Sequence, residues 1–213
     1  MTDIRDNIFN IQQAIPKKVK LVAVTKKKLI SDIQLLYNYG HKVFGENKVQ
    51  ELITKYESLP KDIEWHMIGH LQRNKVKYIA PFISLIHSID SEKLLVEVNK
   101  RGEENNRIIN VLLQVHIADE SSKFGLSLQE TENLLKNISK YNFVNIQGLM
   151  GMATNTKDYN KIKTEFNKLE NLYKKYPENF SILSMGMSGD YKIAIDSGSN
   201  MIRIGSGIFE NRN

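Results

Sequence analysis

Hydrophobic residues recur along the chain in short β-rich runs, separated by longer stretches whose apolar positions fall at helical spacing. The first run is Lys20–Thr25, followed by Lys42–Gly45, Glu64–Ile68, Ser84–Ile89 and Ile109–Ile117. Val144–Met150, Ser181–Met185 and Met201–Ile204 bring the total to about eight. Between them, Ser31 is predicted to cap a helix carrying Ile33, Leu35, Leu36 and Tyr39, closed by Gly40. Ser91 precedes Leu94, Leu95 and Val98, with Gly102 expected beyond the helix end. Ser127 and Glu130 have capping-box spacing ahead of Leu134, Leu135 and Ile138. Tyr159 to Tyr176 carries Ile162, Phe166, Leu169, Leu172 and Tyr173 on one face and is stopped by Pro177. A further helix, Ile4 to Ile15, precedes the first run and is predicted to cover an outer wall.

Strands alternating with helices imply a parallel sheet, because parallel neighbours need a crossover connection. About eight such units predict one α/β domain over residues 1–213, a (β/α)₈ TIM barrel. A doubly wound open sheet is the alternative. Its dinucleotide signature, Gly-x-Gly-x-x-Gly after the first strand, is missing, and Thr25-Lys-Lys-Lys stands there instead.

Barrels of this type do their chemistry where the strands end at the carboxyl side. Polar residues and glycines gather there after nearly every run. Run one ends in Lys26, run two in Phe44-Gly-Glu-Asn47, run three in His66-Met-Ile-Gly-His-Leu-Gln-Arg-Asn74, and run four in His87-Ser-Ile-Asp90. Run five leads into Asp119-Glu-Ser-Ser-Lys-Phe-Gly125 and run six into Gly151-Met-Ala153. Runs seven and eight lead into Gly186-Met-Ser-Gly-Asp190 and Gly205-Ser-Gly207.

The last two segments suit phosphate. Ser188 is predicted to cap a helix running to Ser197, and backbone N–H groups at a helix start attract anions. Gly205-Ser206-Gly207 offers further N–H donors and a hydroxyl, and barrels often bind phosphate after strands seven and eight. Lys26 directly follows an apolar strand, so its stem is predicted to lie in the barrel mouth. Desolvation there favours the neutral amine that condenses with an aldehyde. Arg203 sits between apolar neighbours and shares a strand face with Met201 and Gly205. A guanidinium so placed pairs with a buried carboxylate or serves a ligand, and the ligand is favoured. His66 and His70 have no acidic cluster to complete a metal site, and Trp65 is expected to pack rather than stack on a ligand.

Composition narrows the setting. The 213 residues include no cysteine, which removes disulfides, thiol catalysis and thiolate metal sites. The start lacks the apolar stretch of a secretory signal, and no run approaches a membrane span, so a cytoplasmic protein is expected. The formal charge is +6, with an isoelectric point near 9.3. Its lysines are scattered among Asn, Asp and Glu with no nucleic-acid motif, which points to a solvated surface and not a nucleic-acid footprint.

Five ordered motifs carry a resemblance. Val22-Ala-Val-Thr-Lys26, Phe44-Gly-Glu-Asn-Lys-Val-Gln-Glu51, Trp65-His-Met-Ile-Gly-His-Leu-Gln-Arg-Asn-Lys75, Ser184-Met-Gly-Met-Ser-Gly-Asp190 and Met201-Ile-Arg-Ile-Gly-Ser-Gly-Ile-Phe209 resemble the pyridoxal phosphate homeostasis protein family. That family is similar to the barrel domain of alanine racemases. The resemblance implies pyridoxal 5′-phosphate (PLP) held as a Schiff base on Lys26, with Arg203 at the pyridine nitrogen. It implies that Ser188, Gly205 and Ser206 hold the phosphate and that Asn47 lies beside the ring. The family often has a proline soon after the lysine, where this chain reads Lys26-Lys-Lys-Leu29.

An arginine at the pyridine nitrogen disfavours ring protonation and weakens the ring as an electron sink. The implied role is a PLP carrier in vitamin B6 homeostasis, without strong catalysis, that supplies apo PLP-dependent enzymes as a monomer or weak dimer. A small amino-acid racemase is the alternative. The chain's end at Asn213 leaves no residues for the second domain that alanine racemases add, which counts against it.

Overall fold

The structure, a computed structural model, describes residues 4–119 and 124–209. Among these, eight parallel strands close a barrel in chain order. They are β1 (Lys20–Val24), β2 (Val43–Glu46), β3 (Glu64–Met67), β4 (Leu85–Ile89), β5 (Ile109–Gln114), β6 (Val144–Met150), β7 (Ile182–Ser184) and β8 (Met201–Ile204). The ring closes where Lys20 to Ala23 pair in register with Met201 to Ile204. The (β/α)₈ expectation therefore holds, and the open sheet does not.

The helices are α1 (Ile4–Ala14), α2 (Ile30–Asn38), α3 (Val49–Ser58), α4 (Val76–Ile79), α5 (Glu92–Glu104), α6 (Leu128–Lys136), α7 (Tyr159–Lys174), α8 (Tyr191–Asp196) and α9 (Ser206–Phe209). No helix among the described residues is long and apolar enough to cross a membrane. Ser91 caps α5 by accepting from Leu94 N, and Ser127 with Glu130 forms the full capping box of α6. Ser31 does not cap: α2 starts at Ile30 after an extended Leu29, which places Ser31 in the first turn. Gly102 does not end α5 either. It lies inside the helix, where a Cβ would come within 2.7 Å of the Phe143 carbonyl oxygen, so glycine there permits a close approach.

Strand alternation sorts the core into two parts. Val22, Leu85, Leu112, Met150 and Met201, from five different strands, meet one another inside the barrel. Leu21, Ala23, Phe44, Trp65, Ile86, Leu113, Leu149 and Ile202 face outward and pack with the helices. Trp65 is buried in that outer layer beside Phe44, as expected of a packing residue. The same parity assigns the inner face to Lys26 after Val22 and Val24, to Asn47 after Gly45, to Ser184 after Ile182, and to Gly205 after Arg203.

Candidate functional site

Each inner-face position that carries chemistry lies at or just past a carboxyl strand end, so the barrel brings residues far apart in sequence to one mouth. Lys26 follows β1 in a turn, and its side chain is exposed. The desolvation expected of it is not built by the protein alone, because the loop carries the lysine outward past the last strand residue. Lys27, beside it, has a left-handed φ of 60°. Asn47 follows β2. Its Oδ1 is buried and meets no hydrogen-bond partner among the described residues. Gly69 backs it so closely that a Cβ there would collide with the Asn47 backbone oxygen.

The β7 and β8 loops come together, but not as the sequence suggested. Ser188 does not cap a helix running to Ser197. α8 is only six residues long and starts after Asp190, whose Oδ1 accepts from Met187 N at 2.6 Å and closes the turn. Ser188 Oγ instead accepts from Gly207 N at 3.3 Å, tying the two loops to each other, and its own O–H remains available to donate. Ser206 is exposed, and a Cβ on Gly189 would meet nothing within 4 Å, so the surface between the loops is open. A cavity of about 400 Å³ lies between the loops after β6 and β7, lined by Met152, Thr154, Met187, Gly189 and Asp190 among others.

Arg203 is the most constrained group in the site. It is 4% exposed. One terminal nitrogen donates to the carbonyl and hydroxyl oxygens of Ser184 at 3.0 and 2.6 Å, and the other donates to the Gly151 carbonyl at 3.2 Å. Burial pulls its pKa down to about 10, opposed by the charge of Asp190, so it remains a cation at neutral pH.

A column of buried polar groups continues below Arg203. Ser184 Oγ lies 3.2 Å from His87 Nδ1, and His87 Nε2 lies 3.0 Å from His66 Nδ1. Burial pushes His66 down to about 3 and His87 well below its ordinary value, with the neighbouring cation Arg203 adding to the latter. Both rings are therefore neutral. One direction satisfies every bond: Arg203 donates to Ser184, Ser184 to His87, and His87 to His66. This column was not read from the sequence. The available signal was two histidines on the inner faces of apolar strands, and His66 had been considered only beside His70. His70 turns elsewhere, bonding Asp90 at 2.8 Å and stacking on Phe124. Of the segment after β5, residues 120–123 lie outside the described residues.

The opposite, amino-terminal end of the barrel holds a cavity of about 590 Å³, lined by Lys20, Glu64, His66, Asn110 and Gln147 among others. Lys20 and Glu64 pair there at 2.6 Å.

Comparison with known proteins gives concordant results. The family model for the alanine racemase N-terminal domain matches residues 1–212. The pyridoxal phosphate homeostasis protein of Helicobacter pylori is 42% identical over 195 residues, covering 90% of this chain and 87% of that protein. The protein of the same name from Aquifex aeolicus is 37% identical over 198 residues, covering 91% and 87%. Among solved structures, PipY of Synechococcus elongatus with PLP bound superposes with a TM-score of 0.88 at 29% identity, covering 97% of this chain and all of that one. An alanine racemase of Clostridium difficile shares the fold, with a TM-score of 0.83 at 13% identity over 57% of its length.

Proposed function

The chain belongs to the pyridoxal phosphate homeostasis proteins, built on the alanine racemase N-terminal domain, and we propose that it binds PLP at the carboxyl end of its barrel and takes part in intracellular PLP homeostasis. The observation that carries this reading is Arg203, a buried guanidinium on the inner face of the last strand held by carbonyl and hydroxyl oxygens. A cation is costly in such a place unless something needs it there.

The residues present fit the cofactor. Asn47 Oδ1 is a buried acceptor in want of a donor, and the open surface between Ser188 and Ser206 can take a phosphate. PLP supplies an aldehyde and an aromatic ring that can delocalise charge. Lys26 holds it covalently by its ε-amine. Ser188, Gly205 and Ser206 hold the phosphate through hydroxyl and backbone N–H groups, and Asn47 lies beside the ring. Arg203 donates to the pyridine nitrogen and, being a fixed cation, disfavours a proton on it. That arrangement suits retention of the cofactor more than carbanion chemistry. On this reading the protein works in the cytoplasm as a monomer or weak dimer, and apo PLP-dependent enzymes are the recipients.

The test is the visible spectrum of the purified protein with PLP, before and after borohydride, followed by peptide mapping. The expected result is a visible band lost on reduction and a pyridoxyl label on Lys26. Label on Lys27, Lys28 or Lys123 refutes the assignment.

A further inference from the structure

Behind Lys26, on the outer face of the barrel, lies a cluster of charges that the reading above does not use. Glu46 ends β2 with its side chain fully buried, and Lys55 of α3 reaches it at 2.5 Å with 6% of its side chain exposed. Thr25 Oγ1 donates to the same Glu46 oxygen at 2.5 Å. A buried ion pair is weak evidence for stability, since well-packed apolar residues often serve as well. Its contacts with the Lys26 loop give this one another use.

The two peptide groups that flank the Lys26 Cα are each held by a charged side chain of α3. Lys55 Nζ donates to the Thr25 carbonyl oxygen at 2.7 Å, in the peptide group that precedes Lys26. Glu51 Oε2 accepts from the Lys27 amide at 2.8 Å, in the peptide group that follows. Glu51 also lies 3.6 Å from Lys55, one helical turn away, which joins the two holds into one unit. The backbone needs holding: Lys27 stands at a φ of 60°, a region disfavoured for any residue with a β-carbon.

We propose that Glu51 and Lys55 are positioning residues that fix the backbone on both sides of Lys26 and so favour its condensation with the PLP aldehyde. This rests on the assignment of Lys26 as the covalent residue. In that step the neutral ε-amine adds to the aldehyde carbon, a C=N bond replaces C=O, and the oxygen leaves as water. No electrons are gained or lost. Neither Glu51 nor Lys55 touches the reacting atoms. They act by narrowing the directions in which the lysine stem leaves the chain, and oriented groups react at higher effective concentration. Holding from outside also leaves the inner face free for the ligand.

The test compares two ligands on the full-length protein: PLP, and pyridoxine 5′-phosphate, which has the phosphate and ring but an alcohol in place of the aldehyde. Glu51→Ala is expected to weaken PLP by about tenfold or more, the scale of a lost hydrogen bond to a charged group, while pyridoxine 5′-phosphate changes by less than about twofold. Glu51→Gln, whose amide oxygen still accepts from Lys27, should restore most of the PLP affinity. Lys55→Met should show the same split between ligands, with a thermal melt checking that it folds. If Lys55→Met does not fold, the half-exposed Glu51 carries the test alone. Equal losses for both ligands, or no loss for PLP, would overturn the clamp. Borohydride label on another lysine in the wild type would overturn the parent assignment and the clamp with it.

Discussion

At the amino end of the barrel Lys20 pairs with Glu64, Arg107 donates to the Ala80 and Ile83 carbonyls, and Asn145 donates to Asn110. At the carboxyl end Lys26 and Ser206 are exposed, and Asn47 Oδ1 is buried with no partner among the described residues. The same eight strands supply both ends, so the difference does not come from the fold. Where polar side chains satisfy one another, they brace the barrel. At the carboxyl end, unused bonding capacity at Asn47 is what the proposed ligand would take up. Between the ends runs the Arg203–Ser184–His87–His66 column, internally bonded like the amino end yet delivering its one cation toward the mouth.

Substitutions at the two ends should therefore part company. The largest effect is expected from Lys26→Ala, which should abolish borohydride-fixed labelling while leaving the melting temperature of the cofactor-free protein close to wild type. A large fall in that temperature would make Lys26 a structural residue. Next comes acid. His66 and His87 titrate below their ordinary value in the fold, so between about pH 6.5 and 3 the unfolded chain binds more protons than the folded one. Stability should thus be complete above about 6.5 and fall as pH drops, by about 1.4 kcal/mol per pH unit for His66, with His87 acting in the same direction. Denaturant midpoints across that range are the measurement, and His87→Asn should flatten the slope.

A smaller effect, about 1–3 kcal/mol in PLP affinity, is expected from Ser206→Ala, the scale for one hydrogen bond to a charged group. Pyridoxal, which lacks the phosphate, should lose much less. Equal losses would put the phosphate elsewhere. The smallest should come from the amino end. Lys20→Met breaks an ion pair whose side chains are 43% and 49% exposed. It should cost about 1 kcal/mol or less and leave PLP binding unchanged. Weakened PLP binding there would mean that the two ends are not independent.

Local pattern was enough to read the strands, the capping of α5 and α6, and the inner-face parity of Arg203 with Met201, because each depends on neighbours within a few residues. It was not enough where a contact crosses the barrel. Ser184 meets His87, and Ser188 meets Gly207, across gaps that no periodicity spans. Ser188 was misread for that reason: its small, polar surroundings resemble a helix cap, and only the packing of two loops reveals a strap. Gly102 was misread as a helix stop because its cause, the Phe143 carbonyl, approaches from another element. Lys55 carries no signal in the sequence, and only the buried end of β2 shows what it reaches.

The closing pair of strands has a consequence for biosynthesis. β1 and β8 are neighbours in the barrel but are its first and last strands, and the proposed site draws Lys26 from the end of one and Arg203 from the other. A nascent chain leaving the ribosome exposes Lys26 early, yet it has neither Arg203 nor the β8 loop until the last strand has been made. At the proposed site, PLP capture would thereby be coupled to closure of the barrel. Ligand present at that moment would stabilise only the closed barrel, so it would select closed barrels over chains that lack β8.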